Sequence, residues 1–184
     1  MNIAYTIAPG RGDTDLILAG VAERLRSEGL RLCGTVQFNT ERADRGPCDM
    51  DVRVLPNGPD IRISQSLGPS SRGCRLDFQA LETAVGLAAS RLLQGADAVI
   101  VNKFGKHEAE GRGFRPLIAD AADQDIPVLV GVNTLNEAAF LEFSGGCALR
   151  LPADSKALLD WLRACASPRR PMAAPSREKA WASG

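Results

Sequence analysis

The run Ile3-Ala4-Tyr5-Thr6-Ile7-Ala8-Pro9-Gly10-Arg11-Gly12-Asp13-Thr14-Asp15-Leu16 constrains the rest of the chain most. It reads as a short apolar strand, a glycine-rich turn and the first turn of an amphipathic helix. In open α/β folds such a junction lies at the carboxyl end of the first strand, where anions commonly bind. The remaining sequence reads as further strand–helix units placed around it.

A phosphate-binding loop follows the pattern G-x-x-x-x-G-K-[ST]. Its backbone N–H groups wrap the phosphates, its Lys reaches the β/γ-phosphates and its hydroxyl holds Mg²⁺. With Gly12 as the second glycine, Thr14 falls on the hydroxyl position. Ile7 then replaces the first glycine and Asp13 replaces the Lys. A carboxylate there adds a repulsion of roughly 4 kcal/mol toward an anion at ~4 Å and an effective dielectric of ~20. Ordinary ATP binding is disfavoured unless a cation from elsewhere compensates. Asp13 and Asp15 also suit a plainer role, capping the helix and complementing its positive end.

The 184 residues suffice for one domain with a real core. Net charge is zero, so nothing argues for a nucleic-acid partner. No apolar run approaches 18 residues, and residues 1–8 lack a basic leader pattern, so neither a membrane span nor a signal peptide is expected. The five cysteines (Cys33, Cys48, Cys74, Cys147, Cys165) are odd in number and widely spaced. They suit reduced thiols in a cytoplasm better than a disulfide framework.

Ile17, Val21 and Leu25 recur at helical spacing and predict a helix over 13–28, stopped by Gly29. A second strand follows over 31–38, giving a βαβ unit that predicts a parallel pair with a right-handed crossover. Residues 39–50 read as polar and irregular. Segments 51–55 and 60–64 alternate apolar and polar residues around Pro56-Asn57-Gly58-Pro59, a β-hairpin signature that reads as an insertion beside the main sheet. Residues 66–76 read as a loop, and Asp77 as the cap of a helix reaching about Gln94. Ala98-Val99-Ile100-Val101 is a central parallel strand, followed by a polar, glycine-rich loop over 102–113. A helix over 114–125, a strand over 127–132, a short helix over 136–143, a strand over 147–151 and a helix over 154–165 complete the body. The tail over 166–184, rich in Pro, Ala, Ser and Arg, reads as disordered. It holds four basic residues against one acidic, so the body is net acidic.

Three loops flank strand ends: Gly10–Thr14, Gln65–Arg75 and Asn102–Arg112. They offer Arg11, Arg72, Arg75, Lys103, Lys106 and Arg112 as anion donors, against the plainer reading of solvated loop charges. Cys48 and Cys74, each near carboxylates, could bind a soft metal, although packing of small thiols is the commoner use. His107 is the single histidine, and no nucleophile motif accompanies it. Glu108 and Glu110 share its loop, where salt bridges to Lys106 or Arg112 are the simpler use.

Asp49-Met50-Asp51, Ile63-Ser64-Gln65-Ser66-Leu67-Gly68, Arg72-Gly73-Cys74-Arg75-Leu76-Asp77 and Asn102-Lys103-Phe104-Gly105-Lys106 resemble the motifs of a bacterial domain-of-unknown-function family. Its members are often encoded near molybdenum-uptake or molybdoenzyme genes, and the resemblance covers residues 2–165. More distantly, the chain resembles the P-loop nucleoside-triphosphatase family carrying G-K-P-G-x-G-K-T-T. Pro9, Gly10, Gly12 and Thr14 match that loop, whereas Ile7, Asp13 and Asp15 depart from it. That family follows its central strand with I-D-E-I-G-K-x-E. Here Gly105, Lys106 and Glu108 match, but the Asp is Asn102 and the Glu is Lys103. Lys103 is placed either to pair with Asp13 or to supply the missing phosphate contact.

The sequence thus predicts a single three-layer α/β domain over 1–165 with about five mostly parallel strands, helices on both faces and a hairpin insertion near 51–64. The expected function is non-hydrolysing, P-loop-like binding of a small anion, with Gly10, Arg11, Gly12, Asp13, Thr14, Gln65, Arg72, Arg75, Asn102, Lys103, Lys106 and Arg112 as ligand-binding residues. The resemblance makes a nucleotide, a molybdate-type oxyanion or a pterin phosphate the candidate ligands. Two alternatives stand beside it: an NTPase or nucleotide-dependent transferase using Lys103 as substitute cation, and a metal-handling or adaptor protein using Cys48 and Cys74. A homo-oligomer is compatible with all three.

Overall fold

A computed structural model describes residues 2–10, 12–42, 48–66 and 75–166. In chain order these form β1 (Ile3–Thr6), α1 (Asp13–Ser27), β2 (Leu32–Thr40), β3 (Asp49–Val54), β4 (Asp60–Arg62), α2 (Phe78–Leu92) and β5 (Ala98–Phe104). There follow α3 (Lys106–Ala109), α4 (Arg115–Asp123), β6 (Val128–Val132), a 3₁₀ turn at Thr134–Asn136, α5 (Glu137–Phe143), β7 (Leu149–Leu151) and α6 (Ser155–Cys165). The disordered tail expected from 166 lies, beyond Ala166, outside the described residues. No described helix is long and apolar enough to cross a membrane.

The strands form one sheet in the order β4-β3-β2-β5-β6-β1-β7. Five of them, from β2 to β7 in that order, run parallel. The continuous apolar runs Ala98–Val101 and Val128–Val132 are wholly buried, as central strands covered on both faces must be. Their central position corrects one expectation. β1 and β2 are parallel but not neighbours, because β6 and β5 lie between them and α1 spans the gap.

The faces separate cleanly. On one, Leu18, Val21, Ala22 and Leu25 of α1 and Leu158 and Leu162 of α6 cover Ala4, Ile100 and Leu129. On the other, α2, α4 and α5 cover Tyr5, Val99, Val101 and Val130 through Leu81, Leu117, Ile118 and Phe140. Asp77 caps α2 by accepting from the Ala80 N–H at 3.0 Å, and Asp154 caps α6 through Ala157 at 2.9 Å.

The hairpin turns at Pro56–Pro59 as expected, but it extends the main sheet instead of standing beside it. β3 pairs with β2 antiparallel from Thr35↔Val54 to Thr40↔Asp49, and β4 forms the edge. Part of the polar stretch 39–50 is therefore strand. Its polar side chains are satisfied across the ladder, Thr40 donating to Asp51 at 3.3 Å. β5 likewise outruns its apolar segment, so Asn102 and Lys103 belong to the strand and not to the following loop.

Cys33 on β2 is fully buried and its thiol donates to the Ala88 carbonyl at 3.2 Å. Burial pushes this thiol up to about 11. Cys48 and Cys147 are exposed. Alkylation of the native protein at pH 8, mapped by peptide mass spectrometry, should modify Cys48 and Cys147 and spare Cys33. Because the native pKa lies above the unfolded one, the Cys33 contribution to stability is intact below about pH 9 and is lost as pH rises through about 11. Early alkylation of Cys33 would contradict its burial.

Candidate ligand-binding site

The carboxyl ends of β1, β5 and β6 meet beneath the first turn of α1. Gly12 caps that helix with φ 86°, a left-handed conformation that glycine adopts without strain, and no side chain caps it. The Thr14 hydroxyl accepts from the Ala8 N–H at 3.3 Å, drawing the junction together. The Asp13 carboxylate folds back onto Gly10, so closely that a Cβ on Gly10 would run into it. The residue standing where a phosphate loop has its Lys therefore covers the loop with negative charge.

Asp15 is the hub of the site. Its Oδ1 accepts from the Asn102 amide at 2.7 Å, and its Oδ2 from Asn39 at 3.1 Å and Gln37 at 3.4 Å. These bonds tie α1 to the ends of β5 and β2. Only the amide NH₂ of Asn102 can face a carboxylate, so its Oδ1 must point elsewhere. That oxygen is buried without a partner, as is the hydroxyl of Thr6. A buried acceptor left in this state costs about 1–3 kcal/mol. Thr6 lies opposite Gly131 in the β1–β6 register, and a Cβ on Gly131 would strike the main-chain carbonyl of Asn102. Thr6, Gly131 and Asn102 thus form a row across three strands, on the face that α1 covers.

The other expected ligand residues are distributed more widely. Lys103 is exposed next to Asn102 and forms no ion pair among the described residues, with Asp13 or any other acid. Lys106 and Arg112 both pair with Glu110, at 3.6 and 2.8 Å, which is the simpler role foreseen for them. Arg75 donates to the Cys48 carbonyl at 2.9 Å and reaches Asp49 at 3.5 Å. Asp49 also pairs with Arg62 at 2.7 Å and Arg42 at 3.4 Å, so Arg75 belongs to an ion network at the β3–β4 edge. Gln65 and Arg75 close the stem of their loop, the Gln65 N–H donating to the Arg75 carbonyl at 2.8 Å. Arg11, Arg72 and Cys74 lie outside the described residues. Cys48 is exposed, and no group of three or more His, Cys, Asp or Glu is placed to hold a metal among the described residues.

His107 and Glu108 are both buried on the opposite face. His107 contacts Glu82 at 2.7 Å and stacks on Phe78. Glu108 accepts from the Gly105 and Phe114 N–H groups at 2.9 and 3.3 Å, which makes it the brace of the turn after β5. The residues missed by sequence reasoning are Thr6, Gln37, Asn39 and Gly131. Gln37 and Asn39 carried a signal as polar residues late in a strand, whereas Thr6 and Gly131 take their meaning from the β1–β6 register.

The family model described as "Protein of unknown function (DUF2478)" matches residues 3–161. The chain belongs to that family. It is also 34% identical over 162 residues to the "Molybdenum import ATP-binding protein ModC 2" of Bradyrhizobium diazoefficiens. That alignment covers 88% of this chain and 18% of the relative, so the chain spans less than a fifth of the relative's length. Among solved structures, a human cancer-related nucleoside triphosphatase superposes with a TM-score of 0.59 at 18% identity, covering 92% of this chain and 100% of that one. The fold is therefore the α/β fold of the P-loop nucleoside triphosphatases.

The Asp15–Asn102 bond can be tested by charge. Asn102→Asp would bring two carboxylates together at hydrogen-bonding distance, a repulsion of roughly 2–4 kcal/mol in a partly buried setting. The pair would hold a proton that the unfolded chain has lost, so the defect should be largest above pH 7 and relieved near pH 5. Thermal melts at both pH values read this directly. An unchanged melting temperature at high pH would contradict the contact.

Proposed function

We propose that this chain is a P-loop-like binding protein for a small anionic ligand, which it does not hydrolyse, and that it serves molybdenum metabolism. A nucleotide, a molybdate-type oxyanion and a pterin phosphate are the ligand classes considered. The observation carrying the reading is Asn102 donating to Asp15 at 2.7 Å. In the P-loop family an acid at the Asn102 position serves Mg²⁺ and water. Here that position holds a neutral amide, and its donor is already engaged. With Asp13 on the Lys position as well, the supports of phosphoryl transfer, positive charge and a positioned water, are both weakened. Binding keeps two supports of its own. The N-terminus of the 15-residue α1 lies at the site, where the Thr14 and Asp15 N–H groups are the ones left for a ligand once Asp13 and Leu16 donate to Gly10 and Gly12, and Lys103 beside Asn102 is exposed. The molybdenum assignment draws on the relative whose printed name is a molybdenum import ATP-binding protein.

A second reading is favoured by Lys103 alone, which is free of described acids and one residue beyond Asn102. In that reading Lys103 replaces the loop Lys, and the chain is an NTPase or nucleotide-dependent transferase. Thermal shift with molybdate, tungstate, sulfate, phosphate, ATP and GTP, the nucleotides with and without Mg²⁺, decides between them. A ligand at 100 times its Kd should stabilise by about 2.7 kcal/mol. The expected result is a shift with one anion class, reduced in Lys103→Ala, and no phosphate release from ATP or GTP. Mg²⁺-dependent turnover abolished by Lys103→Ala would replace the binding reading with the enzymatic one. No shift with any anion would overturn both.

A further inference from the structure

The face opposite α1 holds a cavity that anion binding at the junction does not use. Its volume is about 650 Å³, within the range of sites that take small organic ligands. Phe78, Glu82 and Val85, one helical stripe of α2, line it on one side, and Gly113 and Pro116 on the other. His107 joins the two sides. Its ring stacks on Phe78 with centroids 4.8 Å apart, and its Nε2 donates to Glu82 Oε1 at 2.7 Å. The Gly113 N–H donates to the same oxygen at 3.1 Å. Oε1 is thus held twice, whereas Oε2 has no partner among the described residues and the Glu82 side chain is 47% exposed. The Nδ1 of His107 is buried without a partner. An apolar ring in its place would carry no such cost, so what the imidazole adds is the fixed placement of Glu82. Phe78 stays 48% exposed over this ring, an aromatic surface left open at the cavity.

We propose that this cavity binds an uncharged, planar, amino-substituted heterocycle of purine size, its ring stacked on Phe78 and its amino group donating to Glu82 Oε2. The site is separate from the α1 junction and does not depend on the anion reading. The exposed aromatic ring selects a flat π-system, and Val85 and Pro116 favour an apolar ring over a solvated chain. A carboxylate oxygen can only accept, so the group facing Oε2 must bring an N–H or O–H donor. The charge of the walls excludes an anion. Arg112, the cation that lines the cavity, is paired with Glu110 at 2.8 Å, which leaves the Glu82 carboxylate as the dominant charge. One guanidinium would satisfy the ring and the carboxylate but fill little of the volume, and the volume favours a bicyclic ring with a substituent.

The test uses the full chain, untagged, in a buffer free of phosphate. His107 is the only histidine of the sequence, so its ring resonances in proton NMR report on this site alone. The probes are adenosine and purine riboside, which differ by the amino group. The expected result is a saturable shift of the His107 signals by adenosine, with a Kd on the order of 10⁻⁴ M. Purine riboside should bind about tenfold more weakly, for want of the bond to a charged acceptor. Phe78→Leu keeps apolar bulk but removes the aromatic face, and should weaken both probes alike by about fivefold. Glu82→Gln should weaken adenosine alone, to the level of purine riboside. Glu23→Gln, exposed on α1, should bind both as the parent does. Absence of a saturable shift at millimolar adenosine would overturn the proposal. So would equal affinity for the two probes in the parent protein, a comparison that needs no variant to fold. Methylguanidinium binding as tightly as adenosine would overturn the heterocycle assignment. Neither nucleoside carries a phosphate, so failure here leaves the anion reading untouched, and a failed anion panel leaves this one untouched.

Discussion

A missing side chain at Gly131 lets the N-terminal turn of α1 rest directly on the sheet. Thr14 and Leu18 pack where its Cβ would be, 2.8 and 3.0 Å away. Any larger residue would push the helix outward, and Asp15 would lose its reach to Asn102. Lifting that turn would also open the core that α1 shares with α6, since Leu18 lies in both contacts. The position of the candidate site and the closure of one face of the domain therefore depend on the same close approach. Interiors packed this tightly do not stretch to accommodate an added methyl group without strain.

The chemistry of the site follows from that seating. Once Asp15 is placed at the ends of β5 and β2, the neighbouring strands must offer it donors, and Gln37, Asn39 and Asn102 do so. All three are neutral. The first turn of α1 thus keeps its two negative charges without a described counter-ion, offset mainly by the positive end of the helix itself. The excess of basic groups lies elsewhere. Arg42, Arg62 and Arg75 converge on Asp49 and Asp51 at the β3–β4 edge, where they hold the hairpin and the stem of the 65–75 loop.

Much of the fold was legible in the sequence because burial on both faces leaves a strong local signal. The continuous run at 98–101 marked a central strand, that at 127–132 a further strand, and Asp77 and Asp154 marked helix starts. What sequence alone missed was lateral order. Nothing local in 13–28 tells that α1 crosses over two strands, since adjacency is decided by which strands need cover on both sides. Strand ends were also misread at 39–40 and 102–103, where polar residues suggested loop. Thr40 reaches Asp51 across the ladder, and the Asn39 and Asn102 amides reach Asp15 on α1, tertiary facts that periodicity does not carry. Within the site, Asp13 and Asn102 were legible as departures from a known motif. Thr6 and Gly131 were not, because their meaning lies in the register that sets them side by side.

The electrostatic balance at the junction decides how much rests on Lys103. The N-terminus of α1 contributes roughly half a positive charge, against two carboxylates in its first turn. An approaching oxyanion meets a field that is negative overall. Lys103 reduces that field without reversing its sign, since one cation and a half-charge fall short of two acids. In a phosphate loop the Lys makes this balance positive on its own. Here Asp13 takes that position, so an anion held at this helix end would depend on Lys103 and on main-chain N–H groups rather than on net charge.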